Sequence, residues 1–125
     1  MHVNDLLATI THGVNLAALG TTTLLTTPDG SERFFPLFVA IEATASSGIL
    51  TVCACSVGSN SPTFDNILPI TTLTGVIGVN TRLLLPLTGT GLSTVAPSTA
   101  VVLKVTTAAT GGTQSVKVAL LGFFD

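Results

Sequence analysis

The chain has 125 residues, 4 of them basic and 6 acidic, for a net charge of -2, and 46% are hydrophobic. Its ten charges are well under the ~25% a globular domain usually carries, and hydroxyls stand in for them, with 22 Thr and 9 Ser. So few cations exclude a reader of nucleic-acid backbone, the hydrophobicity excludes disorder, and the lack of Trp and Tyr removes the usual stacking platforms for sugars and bases.

Along the chain, Met1-His2-Val3-Asn4-Asp5 lacks the positive region of a secretory leader, so no signal peptide is expected. Residues 1–19 read as an N-terminal arm or first strand. Leu6, Leu7, Ile10, Val14 and Leu16 fit neither the helical nor the strand period, and Gly13 interrupts a helix. Residues 20–125 read as one β-sandwich domain. Thr, Val and Ile favour a pleated, half-buried surface. Turn signals recur at residues 28–30, 46–48, 58–62, 75–78, 89–91, 97–98 and 111–112. That spacing predicts an all-β fold, an antiparallel β-sandwich of jelly-roll type with about seven or eight strands.

The first strand of this domain is predicted over residues 20–27. Residues 34–43 make a longer one, with Pro36 pointing to an edge or a bulge near its start. Residues 49–57 follow, then 68–77 and 82–87, where Pro86 again suggests an edge. Two alternating runs close the chain. If Gly111-Gly112 is a two-residue turn, Val105 faces Val118 and Leu103 faces Leu120 in a terminal hairpin. The uncharged stretches 43–64 and 83–103 carry Gly, Pro and many Ser/Thr, so neither reads as a membrane span.

No catalytic, cofactor-binding or metal-binding residue emerges. Cys53 and Cys55 lie at i and i+2 on a predicted strand, near the upper limit of disulfide reach. Only His2 and His12 could join them around a metal, without a known spacing; a pair of buried thiols is the expectation. His12 has no nucleophile elbow or zinc-protease helix beside it. Glu32 next to Arg33 suggests a surface pair of little weight. Glu42 is out of place in an apolar strand, and a two-carboxylate hydrolase would need it beside a second acid such as Asp65. Thr88-Gly89-Thr90-Gly91 lacks the Lys and the helix of a phosphate loop and reads as a turn. The runs Thr21-Thr22-Thr23 and Thr71-Thr72 read as solvent-facing strand residues. Residues 60–68 form the longest polar connection, a contact loop or one pinned by Phe64 in the core.

Grease in the wrong place is the more informative signal. Alternation leaves Phe34, Phe38 and Ala40, and Leu50, Val52 and Ala54, on outward faces. The terminal Leu121-Gly122-Phe123-Phe124-Asp125 puts adjacent Phe side chains on opposite sides of a strand. Exposed apolar patches mark interaction sites, so the subunit is expected to work packed against other chains.

With its stretch Ser56-Val57-Gly58-Ser59-Asn60-Ser61-Pro62-Thr63-Phe64-Asp65-Asn66-Ile67-Leu68, its tail Val118 to Asp125, its Thr-rich short strands and its scarce charge, the chain resembles small virion structural proteins of tailed bacteriophages, the capsid cement or decoration type. The resemblance implies a non-enzymatic subunit made in the host cytoplasm and residing in the virion. Its partners would be itself, as a homo-trimer or dimer, and a major capsid protein; nucleic acid, membrane, small-molecule substrate and cofactor are not expected. A tail- or fibre-associated domain recognising a host surface glycan is the alternative. No functional residue carries over.

Overall fold

Eight strands account for nearly all the regular structure in the computed structural model, which describes residues 6–76, 78–85, 87 and 94–125. In chain order they are β1 Leu6–Asn15, β2 Gly20–Thr26, β3 Phe34–Ser47, β4 Ala54–Gly58, β5 Leu68–Thr72, β6 Arg82–Leu85, β7 Ala100–Thr107 and β8 Thr113–Phe124. They form two four-stranded sheets, ordered β1-β8-β3-β6 and β2-β7-β4-β5, and every pairing is antiparallel. First pairs with last, second with seventh, third with sixth and fourth with fifth. A long antiparallel ribbon wrapped over itself has this pairing, and the result is a jelly roll. Among the described residues no helix is long and apolar enough to cross a membrane.

One core lies between the sheets. Val39, Ile41, Val118 and Leu120 enter it from the first sheet, and Val57 and Leu103 from the second, all at most 1% exposed. Each such side chain contributes about 1.5–3 kcal/mol on burial. β8 shows the strand period cleanly: its even-numbered residues from Gln114 to Gly122 are buried and the odd ones between them half-exposed. The final Phe pair splits accordingly. Phe124 packs on the fully buried Phe34 with ring centroids 5.2 Å apart, and Phe123 stacks on Phe35 at 4.9 Å.

The predicted terminal hairpin is corrected. β7 and β8 belong to different sheets, so Val101, Leu103 and Val105 reach the core from one side and Val116, Val118 and Leu120 from the other. Gly111 and Gly112 serve close approach rather than a two-residue turn. A Cβ on Gly112 would overlap the Ser47 carbonyl oxygen, and one on Gly111 the Gly48 carbonyl oxygen. The β7–β8 connection thereby lies against the β3–β4 connection, where Leu50 N–H donates to Thr110 O (2.8 Å) and Thr110 N–H to Thr51 O (3.0 Å).

In the first sheet three bulges reset the alternation of side chains. In β3 the register shifts between Pro36 and Phe38 and again between Ala43 and Ala45. The first shift turns Phe34 inward, contrary to the outward placement expected for it, while Phe38 stays on the outer side with Leu121 as partner. Pro36 sits at this bulge, where β3 pairs with β8 alone because β6 begins only opposite Val39 to Glu42. In β1 the register shifts between Thr11 and Val14, and Gly13 there has φ +67°. Gly in the left-handed region suits a bulge of this kind, and the shift explains why residues 6–15 follow no single period.

Several strands are shorter than expected. Of residues 49–57 only Ala54 onward joins a sheet ladder; Leu50 is 86% exposed and Thr51 makes an isolated bridge to Thr110. The 68–77 strand stops at Thr72, after which Leu73 N–H donates to Cys53 O and the chain turns. The 82–87 strand stops at Leu85. Pro86, the Thr88-Gly89-Thr90-Gly91 turn and the first five residues of the N-terminal arm, His2 included, lie outside the described residues.

Candidate interaction face

The outer side of the first sheet can be assembled row by row from its registers. Phe35 lies beside Phe123; next come Phe38, Leu121 and Ala8; then Leu84, Ala40, Ala119 and Ile10 across all four strands. A fourth row is charged, with Arg82 and Lys117 each directly opposite Glu42. Three consecutive rows thus carry no polar side chain. In the third row two alanines lie between Ile10, 58% exposed, and Leu84, 64% exposed. Small residues between large ones leave a shallow groove of ≈ 240 Å³ with the Glu42, Arg82 and Lys117 side chains at its end.

Glu42, singled out in the sequence, therefore has a structural explanation. Its carboxylate accepts from Arg82 Nε and from Lys117 Nζ (3.0 Å). The hydrogen bond from Arg82, then that from Lys117, holds its carboxyl below the ordinary 4.5. Asp65, the acid weighed as its partner, belongs to the β4–β5 loop over the opposite face of the sandwich. The two carboxylates are not brought together.

That opposite face, the outer side of the second sheet, is built differently. Thr21, Thr23, Lys104 and Thr106 lie on it, and the β4–β5 loop covers part of it. Lys104 Nζ donates to Pro62 O (3.0 Å), and the fully buried Ser56 donates to Thr63 O (3.4 Å). Asn60 organises the loop. Its Oδ1 accepts from the N–H groups of Asp65 (2.9 Å) and Asn66 (3.1 Å), while Nδ2 donates to Asp65 Oδ1 (2.8 Å) and Thr63 Oγ1 (3.0 Å). The Asn60 hydrogen bond also lowers the Asp65 carboxyl below its ordinary 3.8. Phe64 is only half-buried and lies outside the core cluster; Ile67, 1% exposed, anchors the loop instead. This corrects the expectation of a loop pinned by Phe64.

Cys53, just before β4, and Cys55, within it, are free, buried thiols hydrogen-bonded to each other. That hydrogen bond and burial push the Cys55 thiol up, away from the thiolate a nucleophile or metal ligand needs. His12 is exposed on the β1 bulge, on the other sheet. Arg33 donates Nε to Thr94 Oγ1 (3.0 Å) and makes no ion pair with Glu32. Among the described residues no three of His, Cys, Asp and Glu gather as a metal site would require. A second hollow of ≈ 190 Å³ lies by the 28–32 turn and Phe124; Asp29 there accepts from Ser98 Oγ (3.4 Å).

The sequence reading missed the row of Arg82, Glu42 and Lys117, and the roles of Ile10 and Leu84. All five residues are visible in the sequence, but only the registers place them on one surface.

No family model matches the sequence, and no curated protein does. Among the solved structures that share the fold are two from phage capsids. A chain of the acidic stable capsid of Helicobacter pylori bacteriophage KHP30 superposes with a TM-score of 0.63 at 15% identity, covering 94% of this chain and 86% of that one. A chain of the cyanophage Pam1 capsid asymmetric unit superposes with a TM-score of 0.58 at 20% identity, covering 98% and 89%. At such identities the likeness is one of fold, and in both cases it runs nearly the full length of the jelly roll.

Proposed function

We propose that the chain is a non-enzymatic structural subunit of a phage virion, a cement or decoration subunit that oligomerises and bridges major capsid subunits. The observation that carries this reading is the outer side of the first sheet, apolar over three rows and closed by one row of charge. An apolar surface of that kind is a poor surface to leave in water, and low overall charge adds little solubility. Two jelly rolls of similar fold occurring in phage capsids support the same reading. The mechanism is mass action. A subunit that binds only the assembled shell stabilises it by RT ln(1 + [L]/Kd).

Co-sedimentation with purified capsids lacking the subunit tests the proposal. The parent chain pellets with the shell. Leu84→Lys, which puts a charge on the apolar row, stays in the supernatant while keeping its β circular dichroism. Equal pelleting of parent and variant, or no pelleting of the parent, overturns it.

A further inference from the structure

The two open flanks of the sandwich are unlike. One carries the edges of β5 and β6, of 5 and 4 residues; β5 contains Pro69, and β6 carries Arg82. Short strands, Pro and charge are the ordinary means of keeping a sheet edge from pairing. The other flank carries the edges of β1 and β2, of 10 and 7 residues, which touch each other. From Leu6 to Thr27 no Asp, Glu, Lys, Arg or Pro occurs. Among the described residues this flank is long, and no charge or proline protects it.

Within β1 the regular stretch runs from Leu6 to the bulge at His12-Gly13. Its midpoint is Thr9. The Thr9 hydroxyl is buried and has no hydrogen-bond partner, one of two side-chain oxygens of that kind among the described residues. Thr9 faces inward, opposite Leu120, while Ala8 and Ile10 face outward.

The geometry points to a second copy of this chain as the occupant of the flank, its β1 pairing antiparallel with this β1 about a two-fold axis at Thr9. That register sets Thr9 opposite Thr9 of the second copy, a cross-strand pair able to share a hydrogen bond. It sets Ala8 opposite Ile10 and Ile10 opposite Ala8, small against large. No charge is brought against its like. The outer apolar side becomes one continuous surface across eight strands, and the ladder ends on both sides at the bulges. At ~3.4 Å per residue the paired stretch of seven residues is about 24 Å long, and two sheets ~10 Å apart with their outward side chains give it a depth of about 20 Å. Two copies meeting there remove on the order of 1,000 Å², where specific interfaces begin. An isologous contact of this kind closes at two copies.

This inference rests on the oligomeric part of the shell reading and specifies it. The test is light scattering of the purified full chain over a concentration series, with Ala8→Lys and Leu84→Lys alongside. The parent is expected at twice the 12.6 kDa chain mass. Ala8→Lys should weaken the dimer roughly tenfold or more, whereas Leu84→Lys leaves it intact. Thr9→Cys, treated with oxidised glutathione, should give a covalent dimer on a non-reducing gel; Leu50→Cys should not. The Thr9→Cys result decides the matter should Ala8→Lys misfold. A 12.6 kDa parent at every concentration overturns both the flank pairing and oligomerisation. An oligomer indifferent to Ala8→Lys, or one that Thr9→Cys fails to cross-link, overturns the flank pairing alone.

Discussion

The two outward faces of the sandwich differ in what covers them. The second sheet presents Thr21, Thr23, Lys104 and Thr106 and then draws its own β4–β5 loop over Ser56, tied down through Lys104 and Asn60. The first sheet presents Phe38, Leu121, Ala40, Ala119, Ile10 and Leu84, and among the described residues nothing in the chain folds over them. The same fold thus satisfies one face internally with hydrogen bonds and leaves the other to be satisfied from outside. A face completed by its own loop has little to gain from a partner; an apolar face with a charged border gains burial and retains orientation.

The largest effect that separates the faces is on association. Phe38→Lys, on the apolar side, should weaken shell binding by about two orders of magnitude, equivalent to ~2.7 kcal/mol. The matched Thr106→Lys on the second sheet should change it by less than about twofold. Both substitutions are at half-exposed positions, so both proteins should melt near the parent. Equal losses from the two would show that the faces are not functionally distinct.

Next comes the stability of the self-covered face. Asn60→Ala removes the acceptor for two backbone N–H groups and a donor to Asp65. Unpairing partly buried groups of this kind costs about 1–3 kcal/mol. Urea unfolding should show the midpoint falling with an unchanged slope, and shell binding of the folded fraction should persist. A loss of binding at undiminished stability would mean that the loop is itself a contact surface, the other reading its sequence allowed.

The extent to which these faces could be read from sequence follows from what alternation can and cannot encode. The period of two placed Phe38 and Ala40 outside, Val118 and Leu120 inside, and the two final Phe on opposite sides, because those strands are regular where these residues lie. It misplaced Phe34, since one extra residue at the Pro36–Phe38 bulge inverts everything before it. It also misjoined β7 to β8. A strand with a buried side looks the same whether its neighbour in sequence lies beside it or across the core, and a Gly-Gly pair serves a turn or a close approach equally well. Glu42 stood out as a charge in an apolar strand, but its partners lie 40 positions further along the chain at Arg82 and farther still at Lys117. Cross-strand rows are long-range facts, and one sequence carries no register between distant segments.

The smallest effect concerns the charged border itself. Glu42 is held below its ordinary 4.5 first by Arg82 and then by Lys117. A carboxyl whose folded pKa is depressed contributes stability that is fully present above its unfolded value and lost as pH falls through the folded one. Glu42→Gln should therefore lower Tm slightly at pH 7, and the gap between parent and variant should close as the pH is taken below about 4. Asp65 is depressed too, by Asn60, so an acid limb remains in Glu42→Gln and should flatten further in the double variant with Asp65→Asn. Because Arg82 and Lys117 are 81% and 40% exposed, salt screens the Glu42 contribution, and the gap at pH 7 should narrow in high salt. A gap that persisted at low pH would instead assign Glu42 a packing role against the aliphatic stem of Lys117. The border would then be an extension of the apolar surface rather than its limit.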